Sequence, residues 1–232
     1  MMAQSESGFT SSRAIIAIPS QIGRGVDVYG PAQIGPYTLI GNYVAIGYPF
    51  GSELQRAVKY WKGQPSIDID SLVTEETIIG RRNIIELGTI VCSGSRLGSD
   101  VQCESYSFIG SKTTIGNGTW LVQNAKVYDR VKIGEKCIIS GFVGDNSTIG
   151  NNVRVLGKLI HKHKVPVEGR PEWDELSEPG PTIGDDAIIG FDSIVIGDIH
   201  IGEGAYVAAG AVVTKDVAAR TRVAGNPARP MD

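Results

Sequence analysis

Thr113-Thr-Ile115-Gly116-Asn-Gly-Thr119-Trp-Leu121-Val-Gln-Asn-Ala125-Lys-Val127-Tyr-Asp-Arg-Val131-Lys-Ile133-Gly134-Glu-Lys-Cys137-Ile-Ile139 decides the fold. An aliphatic residue returns every sixth position: Ile115, Leu121, Val127, Ile133, Ile139. Two residues earlier stands a small or β-branched one: Thr113, Thr119, Ala125, Val131, Cys137. A glycine often follows the aliphatic. Two phased positions in one short unit are far more specific than aliphatic periodicity alone, and internal repeats set the architecture before any other signal does.

Working outward, the same phase runs backward through Ile109, Cys103, Leu97, Val91, Ile85 and Ile79. An earlier block holds Ile22, Val28, Ile34, Ile40 and Ile46. After Ile139 the register shifts to Ile149 and Val155, and a last block holds Ile183, Ile189, Val195, Ile201, Val207 and Val213. On a strand, residues two apart point the same way. A six-residue unit is therefore one short strand and a bend, and three units close a triangular coil of about 18 residues whose aliphatics fill its interior. Successive coils would stack at about 4.8 Å. Glycine is expected at the bend where φ is positive. Each coil buries its face only against its neighbours, so several are needed. Eight or nine are expected.

These residues resemble the hexapeptide-repeat acyltransferases. The resemblance implies an all-β fold, a left-handed parallel β-helix solenoid; the general rule for crossovers favours the other hand, and the spacing itself does not fix it. The ending is the most specific text. Ala209-Gly-Ala-Val-Val-Thr-Lys-Asp-Val217, then Val223-Ala-Gly-Asn-Pro-Ala-Arg229, closely resembles the C-terminal end of sugar and xenobiotic acetyltransferases of that family, with Ala218 where the family has proline.

Composition bounds the rest. The chain has 232 residues, 30 of them glycine, and a net charge of −3, which leaves no electrostatic footprint for nucleic acid. No apolar run approaches the roughly 18 residues a spanning helix needs, and no signal-peptide pattern opens the chain, so a cytoplasmic setting is expected. Residues 1–13 read as a flexible tail, 14–217 as the β-helix domain and 218–232 as a C-terminal segment. Cys103 falls on the aliphatic register and Cys137 on the small one, so both read as buried thiols rather than disulfide or metal ligands.

The repeat fails twice, near 48–74 and 161–180. In the first excursion Gly51-Ser52 can open a short helix. The stretch Tyr48 to Gly63 loosely resembles a loop that lines the acceptor site in UDP-N-acetylglucosamine acyltransferases. An ordinary surface loop packing Tyr60 and Trp61 reads equally well. The second excursion is charged, rich in Pro and Gly, and carries Trp173. Loops of this length are usually functional or disordered, and the tryptophan argues for docking.

Acyl transfer from a thioester needs a held cofactor, a held acceptor and one proton removed. Imidazole serves near neutral pH. The histidines are His161, His163 and His200. His161 and His163 open the second excursion, where sugar acetyltransferases of the family place the catalytic histidine. His161 ends what reads as a last strand, Arg154 to Ile160, and is the foremost candidate. A solvated loop histidine is the plain alternative for either. His200 lies between inward aliphatics and should point outward. Asp145, Glu168, Glu172, Asp174, Glu175 and Glu178 are candidate orienting carboxylates. The resemblance further assigns acetyl-CoA to Gly190, Ala209, Gly210, Lys215, Asn226, Pro227, Ala228 and Arg229, in a groove between subunits of a homotrimer. It implies a small-molecule acceptor: foremost the amine of a nucleotide-linked amino sugar, with a sugar or small-molecule hydroxyl as the alternative. No metal, nucleic acid or membrane partner is expected. A γ-type carbonic anhydrase needs three zinc histidines from different coils, which this spacing does not offer. A non-catalytic scaffold on the same solenoid is the third reading.

Overall fold

The computed structural model describes residues 8–49, 51–61, 63, 66–161 and 178–231. They form the expected left-handed parallel β-helix. Short strands alternate among three parallel sheets. The first runs from Ala14–Ile16 to His200–Ile201, the second from Gln21–Ile22 to Arg222–Ala224, the third from Asp27–Val28 to Val212–Val213. The first and third sheets hold nine strands each, which gives nine coils. Leu97 pairs with Ile115 and Ile115 with Ile133, the 18-residue step read from the sequence.

Every inward aliphatic from Val28 to Val213 is buried. Burying each such side chain is worth about 1.5–3 kcal/mol. Ile22 keeps the register but is 43% exposed, because the first coil has no second-sheet strand above it. The small residues stitch neighbouring coils together. Thr119 Oγ1 donates to Gly134 O at 2.9 Å and accepts from Cys137 N at 3.1 Å. Thr113 does the same with Tyr128 O and Val131 N. Asn83, wholly buried, donates to Gly80 O and Gly98 O and accepts from Val101 N.

The expectation of glycine at positive-φ bends holds at Gly88, Gly94, Gly118, Gly204 and Gly210 but is incomplete. Apart from Gly47 at φ 71°, the glycines that follow the inward aliphatic of the repeat are not the left-handed ones. A Cβ on Gly116 would lie 2.5 Å from Gly134 C and O, so bare backbone is needed where coils touch. Positive φ falls on the residue before the small position, where Lys112, Asn124, Arg130 and Lys136 also adopt it at 55–62° without glycine.

The register shift after Ile139 has a physical cause. Two bends are two residues short, so Val143 and Leu159 take inward places that six-residue counting missed. These tight bends use Gly141 and Gly157; a Cβ on Gly141 would meet Gly157 O at 1.7 Å. Arg154 to Ile160 is accordingly not one strand but two, Arg154–Val155 on the second sheet and Lys158–Ile160 on the third.

Both excursions leave from the same corner, between the third and first sheets. The first carries helix α1 (Ser52–Tyr60), opened by Gly51 at φ 61°, and helix α2 (Ile69–Leu72). Asp70 of α2 accepts hydrogen bonds from Gly30 N, Ser11 Oγ and Arg13. Residues 8–13 are therefore docked rather than loose: Thr10 bridges Val28, and Ser11 is buried. Residues 1–7 lie outside the described residues. At the far end, Arg222–Ala224 extends the second sheet and Arg229–Pro230 folds back antiparallel on it. Cys92, Cys103 and Cys137 are free and buried. Burial, with Glu86 adding to it, pushes the Cys103 thiol up to about 12, so it stays protonated and inert.

Candidate active site at the excursion corner

The third-to-first corner stacks one residue from each coil into a column. Strand register places Ser93, Ser111, Asp129, Asp145, His161, Gly197 and Lys215 in it, top to bottom. His161 follows strand Lys158–Ile160 and is half-buried where the second excursion departs. Its ring has room because residue 144 is glycine: a Cβ there would lie 3.2 Å from His161 Nδ1. Gly197, with no side chain, stands below, its N–H donating to Ile160 O at 2.9 Å. Lys215 is two coils below the imidazole, about 10 Å along the axis.

The column above His161 is acidic and fixed by backbone donors. Asp145 Oδ1 accepts from Asp129 N at 2.9 Å, and Asp129 Oδ1 from Ser111 N at 2.8 Å. Arg130 approaches Asp145 at 3.8 Å. Burial raises the Asp129 carboxyl above the usual range, with Asp145 and Glu53 adding to it, while the Ser111 N–H and Arg130 pull the other way. Glu53 of α1, also buried, accepts from Ser93 Oγ at 2.8 Å. Of the carboxylates named from the sequence, Asp145 is beside His161 in the column, and Glu178 holds the loop's return through Asn146 Nδ2 to its carbonyl. Asp129 was not among them, because only coil stacking brings it into line. His163, Glu168, Glu172, Asp174, Glu175 and Trp173 lie outside the described residues. His200 projects outward from the first sheet and is exposed, as its flanking aliphatics require.

The residues assigned to the cofactor separate into two groups. Lys215, Ala228 and Arg229 line a cavity of about 450 Å³ under the last coil, with Val213, Val217 and Val223 as its apolar floor. Gly190, Ala209 and Gly210 lie at the bend between the second and third sheets, with Gly210 at φ 67° and open space where a Cβ would go. The turn carrying Asn226 and Pro227 folds onto that side through Val212 N to Gly225 O and Ala228 N to Val212 O. Crossing the third sheet from that bend to His161 takes four residues from Gly157, about 13 Å.

Residues 180–215 match the Hexapep family, bacterial transferase hexapeptide (six repeats). A bifunctional protein GlmU from Halalkalibacterium halodurans is 28% identical over 88% of this chain and 50% of its own length. Serine acetyltransferase 2 from Arabidopsis thaliana is 36% identical over 44% of this chain and 31% of its own. The structure of UDP-N-acetylglucosamine acyltransferase from Campylobacter jejuni superposes with a TM-score of 0.52 at 15% identity, covering 96% of this chain and 73% of that one. The chain is thus similar to hexapeptide-repeat transferases, with the family model matched over residues 180–215. It spans half or less of the length of these two curated relatives. No helix among the described residues is long and apolar enough to cross a membrane.

Proposed function

We propose that the protein is an acyltransferase that moves an acetyl group from acetyl-CoA to the amine of a sugar, foremost a nucleotide-linked amino sugar. The observation that carries this reading is the corner column: an imidazole at a strand end, carboxylates above it, an open glycine rung below, and Lys215 beyond. His161 takes the proton as the acceptor attacks the thioester carbonyl; the acyl–sulfur bond breaks and the thiolate leaves with a proton. A backbone N–H facing the carbonyl oxygen would contribute several kcal/mol of transition-state stabilisation. Asp145 positions the ring side of the column, and His163 is the alternative base. Lys215 and Arg229, with Asn226, Pro227 and Ala228, would hold the cofactor's phosphates, and Gly190, Ala209 and Gly210 its arm.

A homotrimer fits the outer surface. The outward row of the second sheet carries Leu39, Ile84 and Trp120 at 40–43% exposure, with Ile138 and Ile188 further along, interrupted by Gln102 and Arg154. A second copy would also bring one chain's bend toward another's His161, closing the gap across the third sheet. Serine acetyltransferases among the relatives favour one second reading, a hydroxyl acceptor.

The test is thiol release with amine and hydroxyl acceptors. The variant His161→Ala should lose about 10²–10⁴-fold in turnover with coenzyme A affinity unchanged. Full activity in that variant refutes the role.

A further inference from the structure

The outer face of the third sheet carries a second feature beside His161. Its outward residues align across coils as Phe108, Lys126, Phe142, Lys158 and Ile194. Lys126 and Lys158 are both exposed, and among the described residues neither pairs with a carboxylate. Phe142 stands on the rung between them. Its ring lies 4.9 Å from that of Tyr128, which lies 5.6 Å from Phe108. Two free ammonium groups thus flank the Phe142 ring, from which aromatic contacts continue through Tyr128 to Phe108 beyond Lys126. The neighbouring corner carboxylates form no ion pair with them: Asp129 and Asp145 accept from backbone N–H groups, and Asp145 also faces Arg130.

The two lysines stand two strands apart, about 9.6 Å at the backbone. Their flexible stems let both heads close on one group of diphosphate size, and ammonium groups bind phosphate oxygens as point charges. Lys158 is three residues before His161, about 10 Å along the strand. An anion held there leaves room for one sugar ring before the imidazole. Aromatic faces stack planar bases without sequence demands.

We propose that Lys126 and Lys158, with Phe142 between them, form the subsite for the diphosphate of a nucleoside-diphosphate-linked acceptor, the base resting on these aromatic rings. This rests on the acyltransferase reading for its orientation toward His161, but the subsite itself is tested by binding alone.

The experiment is calorimetric titration of the full chain with UDP, dTDP and GDP, and with the matching nucleosides, alongside coenzyme A. At least one diphosphate should bind about tenfold or more tightly than its nucleoside, and more weakly as salt rises. The Lys126→Ala/Lys158→Ala protein should lose about tenfold or more of that affinity and keep its coenzyme A affinity, which also shows that it is folded. The Lys126→Arg/Lys158→Arg protein should bind within about threefold of the parent. Absence of diphosphate binding to the parent, unchanged binding in the alanine pair, or a parallel loss of coenzyme A overturns the proposal. Failure of the acyltransferase reading would show separately, as absent thiol release and absent coenzyme A binding.

Discussion

Asn83→Ala is the sharpest test of how the coils hold together. Asn83 is wholly buried and bonds two coils: Nδ2 to Gly80 O at 2.9 Å and to Gly98 O at 3.0 Å, Oδ1 from Val101 N at 2.7 Å. Alanine leaves Val101 N–H buried with no acceptor and removes the side-chain donor to Gly98 O. Each buried group left unpaired costs about 1–3 kcal/mol, so the two together cost about 2–6 kcal/mol. For a chain of this size 1 kcal/mol shifts Tm by about 2–4 °C, so a fall of about 10 °C is expected. The control is Asn83→Thr. Thr119 occupies the equivalent corner one coil-pair on and makes both inter-coil bonds, to Gly134 O and from Cys137 N. Threonine at 83 should recover most of the loss. The assay is thermal unfolding by circular dichroism at one fixed protein concentration, since assembly makes Tm concentration-dependent. A Tm within about 2 °C of the parent for alanine, or threonine as damaging as alanine, refutes the reasoning.

Two further outcomes follow from the same geometry. Gly116→Ala should destabilise by about 1–3 kcal/mol, because the new Cβ lies 2.5 Å from Gly134 backbone, whereas Gly118→Asn should be near neutral, since Asn124 holds the same left-handed φ; urea unfolding of the pair checks both. Burial raises the Asp70 carboxyl, but hydrogen bonds from Gly30 N, Ser11 and Arg13 outweigh it and hold its folded pKa below the ordinary value. Its contribution is therefore present above the unfolded pKa and lost as pH falls through the folded one. Asp70→Asn should be less stable than the parent at pH 7, with the gap closing by about pH 2; a gap independent of pH contradicts it.

Much of the fold is legible in the residues because solenoid packing is local. Ile115 touches its counterparts one coil away, so one phase propagates through the chain. Val143 and Leu159 were missed because a four-residue step breaks the phase, and only the Gly141 and Gly157 contacts reveal why the bend can shorten. The left-handed bends were only partly legible, because Lys112 and Arg130 hold a φ that Gly118 and Gly210 also adopt. His161 was legible as the residue where the repeat stops. Asp129 and the Lys126–Lys158 pair were not, since residues 16 or 32 positions apart become neighbours only once coil lengths are known. Docking of residues 8–13 depended on Asp70, 57 or more positions away, which no local pattern announces.

The most direct measurement is calorimetric titration of acetyl-CoA into the full chain and into Lys215→Ala/Arg229→Ala. The account predicts micromolar binding to the parent, weakened about tenfold or more when both cations are removed. No binding up to millimolar concentration would contradict it and would leave the solenoid as a scaffold.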